Sequence, residues 1–494
     1  MSKVDLIVPK NANSFPNIQT ELRHVKEAIE ENQGGDEDLK KTVAKHENEL
    51  FEIVPGSQEK RSKKANISDV ENIQQDVTNI QQDVDFLKNN VNFQDGLVTS
   101  YIINQSGDVQ NRLTEDMIEN HVASMLATEK TYINGNYEFI DVIARIRAHS
   151  HLYIGKYNEN SDVLEIKQVS DADKTKYADG SDIEWTYIED ETTKYYNIDL
   201  FMKLPEFWWK CEEVATDVYK VSFSMDSDFV DNTWHHWEGD TFIGVYEAII
   251  DDGKCYSRKD VTPTVNQSWN QFTGAATAKT NNENVPYRIV SYESHQIMCL
   301  LGYGWLANTD AQVIVGRGST NHPKTTGLCD SKGMVDTEAD VDGGSSAGTS
   351  TNVSINFWGL ENWWGDIAEW IDNIRTENSS GLINVYDYKA HTVVRTIQNG
   401  VVEGNEITKL FLGTDGDVTP ISTISNSNYN RAFADYGSVY AAAGYVALRS
   451  GIAAYLYGGL GFLNVGSSAS SVHAYLGSRL LYKGNYIIVD SFSV

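Results

Sequence analysis

The chain has 494 residues, 40% of them hydrophobic and 11% aromatic, so it is long enough for two or three domains with substantial cores. Its formal net charge of −30 argues against a nucleic-acid-binding role, because phosphate recognition needs a cationic surface. No apolar run approaches the length of a membrane span and no signal-peptide core follows Met1, so membrane insertion is not expected.

The first 65 residues carry the apolar periodicity of amphipathic helices. Ile18, Leu22, Val25 and Ile29 alternate spacings of four and three, and the sequence Asn-Gln-Gly-Gly then breaks the pattern. A second helical segment ends before a Val-Pro-Gly turn at 54–56. We therefore predict that residues 1–65 form an N-terminal helical anchor.

A stricter repeat follows at 66–95, where the sequence Ile-Gln-Gln-Asp-Val occurs twice at an interval of seven. Apolar residues alternate steps of three and four along this segment, which predicts a coiled-coil stalk. Valine and isoleucine at both seam positions favour three strands over two, so we expect a homotrimer. The alternative is one amphipathic helix packed on its own domain. The predicted trimerisation residues are Val70, Ile73, Val77, Ile80, Val84, Leu87 and Val91.

The remainder of the chain is predicted to form two further regions. Residues 96–230 should make a connecting module that is helical at first and β-rich between Leu152 and Phe223, where the period changes to two. Residues 231–494 should make a head domain rich in loops, because Gly, Ser, Asn and Tyr dominate there. One buried helix is expected over 292–301 and a long surface loop over 318–352.

The cysteines favour neither zinc binding nor a disulfide scaffold, because they are few and widely spaced. We expect four free thiols, mostly buried, in a protein made in a reducing cytoplasm. The four are Cys211, Cys255, Cys299 and Cys329.

No metal site or cofactor is predicted. His235 and His236 are adjacent, and on a strand they would point to opposite faces, which does not suit a shared metal. Glu338, Asp340 and Asp342 match the first half of a calcium-binding loop, but a threonine stands where the closing glutamate is needed. A solvated acidic loop is the default interpretation, and calcium binding stays open.

Four segments carry a family resemblance. The segment GLENWWGDIAEWID, from Gly359 to Asp372, resembles the G-N-V-W-E-W-x-x-D motif of formylglycine-generating-enzyme-like domains, a branch of the C-type lectin fold. The segments FIGVYEA from Phe242, AGY followed by RSG at 443–451, and LGSRL from Leu476 resemble further motifs of this family, in the same order. Together they span residues 235–483, about half of the chain. The form with Glu-Asn-Trp-Trp-Gly resembles modules that recur in phage and prophage structural proteins.

The resemblance implies a C-type-lectin-like head, so the predicted class of the whole chain is α+β. Within the motif, tryptophans supply buried aromatic area, Gly365 allows close backbone approach, and carboxylates accept backbone hydrogen bonds. The alternative makes Glu361, Asp366, Glu369 and Asp372 a carboxylate cluster for metal binding or acid–base chemistry. The residues assigned to the structural motif are Glu361, Asn362, Trp363, Trp364, Gly365, Trp370, Gly477 and Arg479.

Enzymatic activity is not predicted. The oxidase activity of the resembled family depends on a pair of cysteines late in the domain, and this sequence has no cysteine after Cys329. A hydrolase is also not indicated, because spacing alone singles out no constrained pair of carboxylates. No catalytic residue is therefore assigned.

Recognition is the remaining interpretation. In the resembled modules the ligand-binding positions lie between the last two motif segments, which here means Tyr445 to His473. This stretch is rich in Tyr, Ser, Asn and Gly, the residues that antibody binding loops use. Alternatively, many of these side chains fill the core. The candidates for exposed ligand-binding residues are Arg449, Tyr455, Tyr457, Phe462, Asn464 and His473.

These features predict a non-enzymatic fibre of the tail or head of a bacteriophage virion, made in the host cytoplasm. Its N-terminal region would contact capsid or tail proteins, and its heads would bind a glycan or protein of the bacterial surface. A glycan is favoured because Tyr and Trp faces stack on sugar rings while Asn and Asp bind hydroxyls. The alternatives are a ligand-free decoration protein of the capsid and an enzyme of the formylglycine-generating type.

Overall fold

A computed structural model describes residues 51–53, 60–62, 98–104, 130–133, 136–139, 141–280, 285–306, 308–319, 323–340, 353–424, 435–451 and 458–492. The chain divides into two compact units, Met1–Asn89 and Asn90–Val494. In the first unit, strands β1 (Phe51–Ile53) and β2 (Lys60–Ser62) pair antiparallel, with Phe51 opposite Ser62.

The described part of the second unit is mostly β strand. Its helices are α1 (Val142–Ala148), α2 (Trp269–Thr277), α3 (Tyr292–Leu306) and α4 (Ala311–Ile314), with 3-10 turns at Ser227–Phe229 and Asp330–Lys332. Its strands are β3 (Val98–Asn104), β4 (Lys130–Ile133), β5 (Asn136–Phe139), β6 (His151–Asn158), β7 (Val163–Gln168), β8 (Thr186–Glu189), β9 (Thr192–Tyr195), β10 (Asp199–Lys203), β11 (Phe207–Ala215), β12 (Val218–Ser224), β13 (His235–Trp237), β14 (Thr241–Glu247), β15 (Ile249–Asp251), β16 (Lys254–Tyr256), β17 (Tyr287–Ile289), β18 (Thr337–Asp340), β19 (Val353–Phe357), β20 (Leu360–Glu361), β21 (Ala368–Thr376), β22 (Ile383–Tyr386), β23 (Val393–Ile397), β24 (Val402–Leu412), β25 (Val418–Ile424), β26 (Tyr436–Val439), β27 (Val446–Arg449), β28 (Leu463–Ser467), β29 (Leu476–Lys483) and β30 (Tyr486–Ile488).

One sheet of fifteen strands organises this unit. Its main path runs in the order β25-β24-β26-β28-β27-β21-β29-β14-β10-β6-β7-β30, while β17 pairs with β29 and β22 joins β21 to β23. A second sheet of four strands has the order β13-β11-β12-β3. Helix α3 is enclosed by the core, and twelve of its fifteen residues are buried. The strand order of the large sheet places β21 and β29 at its centre.

The predicted boundary between a connecting module and a head does not separate two cores. Strand β10 precedes the boundary at 230 and β14 follows it, yet the two pair antiparallel, with Phe201 opposite Gly244. Strands β6 and β7 extend the same sheet beyond β10. Residues on both sides of the predicted boundary therefore share one hydrogen-bonded framework.

The predicted α+β class with a helical stalk is wrong: the described part of the chain is mostly β strand, with four helices of four to fifteen residues. The segment with a period of two is followed by strands that are buried on both faces. The periodicity of the sequence did not reveal those later strands. The predicted seam residues from Val70 to Val91 and most of 1–65 lie outside the described residues. A homotrimer stays a prediction. The helix expected over 292–301 is confirmed as α3. None of the described helices is both long and apolar enough to cross a membrane.

Helix α1 begins at a buried aspartate cap. The Asp141 carboxylate accepts hydrogen bonds from the backbone N–H groups of Ile143 at 3.0 Å and Ala144 at 3.3 Å. These bonds satisfy donors that have no partner within the helix. Burial nevertheless dominates and raises the pKa of Asp141 to about 6.

We therefore expect Asp141→Asn to remove a pH dependence of folding. Between pH of about 4 and about 6 the folded chain holds a proton that the unfolded chain has lost, so stability falls as the pH rises through this window. Asparagine caps a helix as well as aspartate does. Between pH 4 and pH 7 the free energy of unfolding of the variant should therefore fall by about 2–3 kcal/mol less than that of the parent chain. Urea unfolding of both chains at each pH measures this difference, and parallel pH profiles would contradict it.

Candidate functional site

A buried ionic cluster lies at the centre of the large sheet. Glu369 of β21 stands opposite Arg449 of the antiparallel strand β27, and β29 brings Arg479 to its other side. The Nε and Nη2 groups of Arg479 donate to Glu369 Oε1 at 3.0 and 2.8 Å, while Arg449 Nη1 donates to Glu369 Oε2. All three side chains are at most 1% exposed. One carboxylate therefore holds two guanidinium groups inside the protein.

Backbone carbonyls and one indole ring complete this cluster. Arg479 donates to the carbonyl oxygens of Gly244 at 2.9 Å and Glu361 at 2.7 Å, so it ties β14 and β20 to β29. The guanidinium of Arg449 lies 3.4 Å from the centre of the Trp363 ring, a cation–π contact. Burial lowers the pKa of Arg449 to about 10, which leaves it charged at neutral pH. The cluster is a structural frame that joins distant strands.

The motif tryptophans are buried around this frame. Trp363, Trp364 and Trp370 are fully buried, and the indole N–H of Trp364 donates to the Gly316 carbonyl at 2.9 Å. Gly365 has a φ of +96°, and a Cβ atom there would lie 2.3 Å from the Arg317 carbonyl oxygen. Only glycine fits at this close approach of two chain segments.

The motif carboxylates hold loops. Glu361 accepts hydrogen bonds from the backbone N–H groups of Gly327 at 2.8 Å and Cys329 at 2.7 Å. Asp366 Oδ2 accepts one from Lys324 N at 2.8 Å. Burial raises the pKa of Glu361 to about 7. These contacts give the carboxylates a structural role, and no group of three or more His, Cys, Asp or Glu side chains among the described residues is placed to hold a metal ion.

The cysteines and the residues considered as metal ligands also make structural contacts. All four cysteines are buried and unpaired. His235 stacks on Trp209 and His236 on Trp208, so the adjacent histidines contact different tryptophans. Glu338 lies in strand β18 rather than in a loop, and its Oε1 accepts from Arg317 N at 2.7 Å. Asp342 lies outside the described residues.

Strands β26 to β29 carry a stretch that is almost free of charge. Between Gly437 and Tyr482 the only Asp, Glu, Lys or Arg residues are Arg449 and Arg479, and both belong to the buried frame. The surface of this stretch is therefore uncharged in a chain whose formal net charge is −30. The lack of charge is a property of the surface of this stretch, because Arg449 and Arg479 are both buried.

Tyrosine and serine side chains make up this uncharged surface. Tyr440 is 49% exposed, and its ring stacks on that of Tyr445 at a centroid distance of 6.2 Å. Pairing of β27 with β28 sets Val446 opposite Ser467, which places Tyr445 beside the turn that follows β28. We define the uncharged surface as Tyr440, Tyr445, Ser467, Ser468, Ser470, Val472 and His473.

Two of the predicted ligand-binding residues are not exposed as expected. Arg449 is 1% exposed because its guanidinium pairs with Glu369. Phe462 is 7% exposed because its ring stacks on Tyr436 at 5.5 Å and packs against Gly451. Both side chains therefore belong to the interior.

The other candidates differ in position. His473 is exposed and stacks on Tyr475 at 5.3 Å. Asn464 is partly buried, and its Oδ1 accepts from the Ser438 hydroxyl at 2.7 Å. Tyr455 and Tyr457 lie outside the described residues. Tyr440 was not among the candidates because it lies before the stretch from Tyr445 to His473, although a count of charged residues along the chain would have marked its surroundings.

The described part thus defines a β-rich protein with a buried frame of arginine, glutamate and tryptophan and with an uncharged, tyrosine-bearing surface on strands β26 to β29. No known protein family matches the chain, and no curated protein matches it. Among solved structures, the Major Tropism Determinant M1 Variant is similar at 14% identity with a TM-score of 0.27, covering 68% of this chain and 73% of that one. The U1 Variant is similar at 13% identity with a TM-score of 0.26, covering 68% and 72%. At these values the likeness assigns neither a fold nor a function to the chain.

Proposed function

We propose that this chain is a bacteriophage virion fibre subunit that binds the bacterial host surface through the uncharged surface of strands β26 to β29. Its N-terminal region would attach to capsid or tail proteins, and its C-terminal half would be a C-type-lectin-like domain. The family resemblance of the four motif segments supports the domain type. The buried frame, to which all four of these segments contribute, supports their role as scaffold.

The observation that carries the proposal is the absence of exposed charge between Gly437 and Tyr482. Charged side chains hold water and are depleted at the centre of binding interfaces, whereas tyrosine is enriched there. Tyr440 and Tyr445 offer rigid rings, and the neighbouring serines offer small hydrogen-bonding groups, which is the composition of antibody binding loops. A host glycan is the favoured ligand, because such rings stack on sugars and hydroxyls bond to hydroxyls.

The surroundings of the motif carboxylates favour recognition over catalysis. Glu369 is enclosed by two arginines, and Glu361 and Asp366 accept hydrogen bonds from loop backbone. A general acid or base must reach the proton that it transfers. Each of these carboxylates is fully buried, so none of them meets that requirement.

A double substitution on the uncharged surface tests the proposal. Tyr440→Ser with Tyr445→Ser should reduce binding of the fluorescently labelled chain to host cells by at least about tenfold, because two stacking rings are lost. Stability should change by less than about 1 kcal/mol, since one ring is half exposed and the other partly exposed. Flow cytometry and a melting curve give the two quantities.

The chain provides a matched control pair. Tyr187 on β8 and Tyr196, which follows β9, are exposed to similar degrees and their ring centroids lie 4.8 Å apart, but they lie outside the uncharged surface. Tyr187→Ser with Tyr196→Ser should leave cell binding unchanged. If the folded Tyr440/Tyr445 variant binds as the parent chain does, the receptor site lies elsewhere. If the parent chain binds no strain of the host panel, a ligand-free decoration protein becomes the better account.

A further inference from the structure

A second surface feature lies away from the uncharged surface. A cleft with a volume of about 230 Å³ opens where the four-stranded sheet meets the first turn of α3 and the hairpin of β22 and β23. Residues from β11, β13, α3, β22, β23 and the turn before β25 line it. The side chains that decide its chemistry are His235, Glu293, Tyr386, Asp387, Arg395 and Asp415.

The floor of the cleft is fixed by a hydrogen-bond network. Arg395 Nη2 donates to Asp417 Oδ1 at 2.6 Å and to Gln296 Oε1 at 3.2 Å. Gln296 Nε2 in turn donates to the Asp415 carbonyl at 2.6 Å. The Arg395 side chain still has 28% of its surface exposed. A guanidinium held in one orientation and open to solvent is a preorganised hydrogen-bond donor.

Both acidic and basic side chains line the cleft. Lys483 Nζ lies 3.5 Å from Glu293 Oε2, and His235 Nε2 lies 3.9 Å from Asp415 Oδ1. Asp387 accepts hydrogen bonds from the backbone of the following turn. Acidic acceptors and basic donors therefore converge on one small volume. A phosphorylated ligand would be repelled by three carboxylates, and a purely apolar one would leave these groups without water.

Aromatic groups complete the lining. The His235 ring stacks on Trp209 at 4.3 Å, which holds the imidazole against the cleft wall. Tyr386, which also lines the cleft, is partly exposed, and Val394 on β23 is 56% exposed. Flat rings next to convergent donors and acceptors are what a sugar needs, since its C–H faces are apolar and its edges carry hydroxyls.

We infer that this cleft is a carbohydrate-binding site that takes a single neutral pyranose ring. Its volume suits one ring, and its mixture of hydrogen-bond donors and acceptors matches ring hydroxyls rather than an anionic group. The site is distinct from the uncharged surface, whose residues do not line it. It would give the chain a second contact with a polysaccharide.

The test uses the full chain and three probes: the methyl β-glycosides of glucose, galactose and N-acetylglucosamine. Saturation-transfer NMR and calorimetry should show saturable binding of at least one probe. Asp415→Ala and Glu293→Ala should each raise its dissociation constant about tenfold, because each removes a charged acceptor. Both side chains are about half exposed, so both variants should fold as the parent does. Asp182→Ala, a surface carboxylate outside the cleft, is the matched control and should bind as the parent does.

Three outcomes would overturn the inference. The first is that none of the three glycosides binds. The second is that the folded Asp415→Ala and Glu293→Ala variants bind with the parent's dissociation constant. The third is that Tyr440→Ser with Tyr445→Ser abolishes glycoside binding, which would place the sugar on the uncharged surface. Loss of cell binding in that variant with unchanged glycoside binding supports both proposals, and the two can therefore fail separately.

Discussion

Glu369→Gln is expected to lower the free energy of unfolding by about 3–5 kcal/mol, because it leaves two buried guanidinium groups without a carboxylate. Arg449 and Arg479 both bond to Glu369, and all three side chains are almost completely buried. Glutamine keeps the shape and one carbonyl oxygen but removes the charge. Its NH₂ group would also face an arginine, which has no acceptor to offer.

Urea unfolding measures this loss, and the chain offers a control in which the same change is made at the surface. Glu212 pairs with Lys210 at 2.7 Å on strand β11, but the two side chains are 40% and 22% exposed. Glu212→Gln should cost less than about 1 kcal/mol, because solvent screens the pair. Equal losses in the two variants would mean that the backbone carbonyls around Arg479 satisfy its charge without Glu369.

The ionic frame explains why Arg449 was misplaced by sequence reasoning. An arginine in a stretch rich in Tyr, Ser and Gly looks like an exposed binding residue. Its partner Glu369 is 80 positions away in the sequence, and only the pairing of β21 with β27 brings the two together. Local composition carries no trace of such a partner. Phe462 was misplaced for a similar reason, since Tyr436 covers it from a different strand.

Sequence periodicity did not reveal the strands of the second half, because they lack alternation. All seven residues of β14 are buried, as are all four of β27 and seven of the eight in β29. A strand covered on both faces shows no period of two, so its sequence resembles a loop or a short apolar run. The helix α3 was predicted correctly because its apolar run is long enough to be recognised.

The motif segments, by contrast, were predicted at the level of single residues through their resemblance to a known family. Trp363, Trp364 and Trp370 lie in the interior, and Arg479 donates to four backbone carbonyls in two segments of the chain. Large aromatic residues and a glycine at a fixed spacing have few arrangements that bury them all. The exposed residues of the candidate binding surface could not be predicted in this way, because surface side chains are not constrained by packing.

Trp370→Ala should be nearly as destabilising as the loss of Glu369, at about 3–5 kcal/mol. The ring is fully buried within a core cluster that includes Trp269, Phe462 and Leu480. Its N–H donates to the Gln267 carbonyl at 3.0 Å, so the substitution removes a hydrogen bond and leaves a cavity. Trp364→Ala should lower the free energy of unfolding by a similar amount, since the indole N–H of Trp364 donates to the Gly316 carbonyl.

Trp208→Ala is the control for these two variants, because its ring is only partly buried and stacks on His236 at the edge of the four-stranded sheet. The loss of stability in Trp208→Ala should be clearly smaller than that in Trp370→Ala when both are measured by thermal and urea unfolding. A Trp370→Ala variant that melts with the parent chain would contradict the burial of the motif. In that case Trp370 would belong to a surface site, and the assignment of scaffold and recognition surface would have to be exchanged.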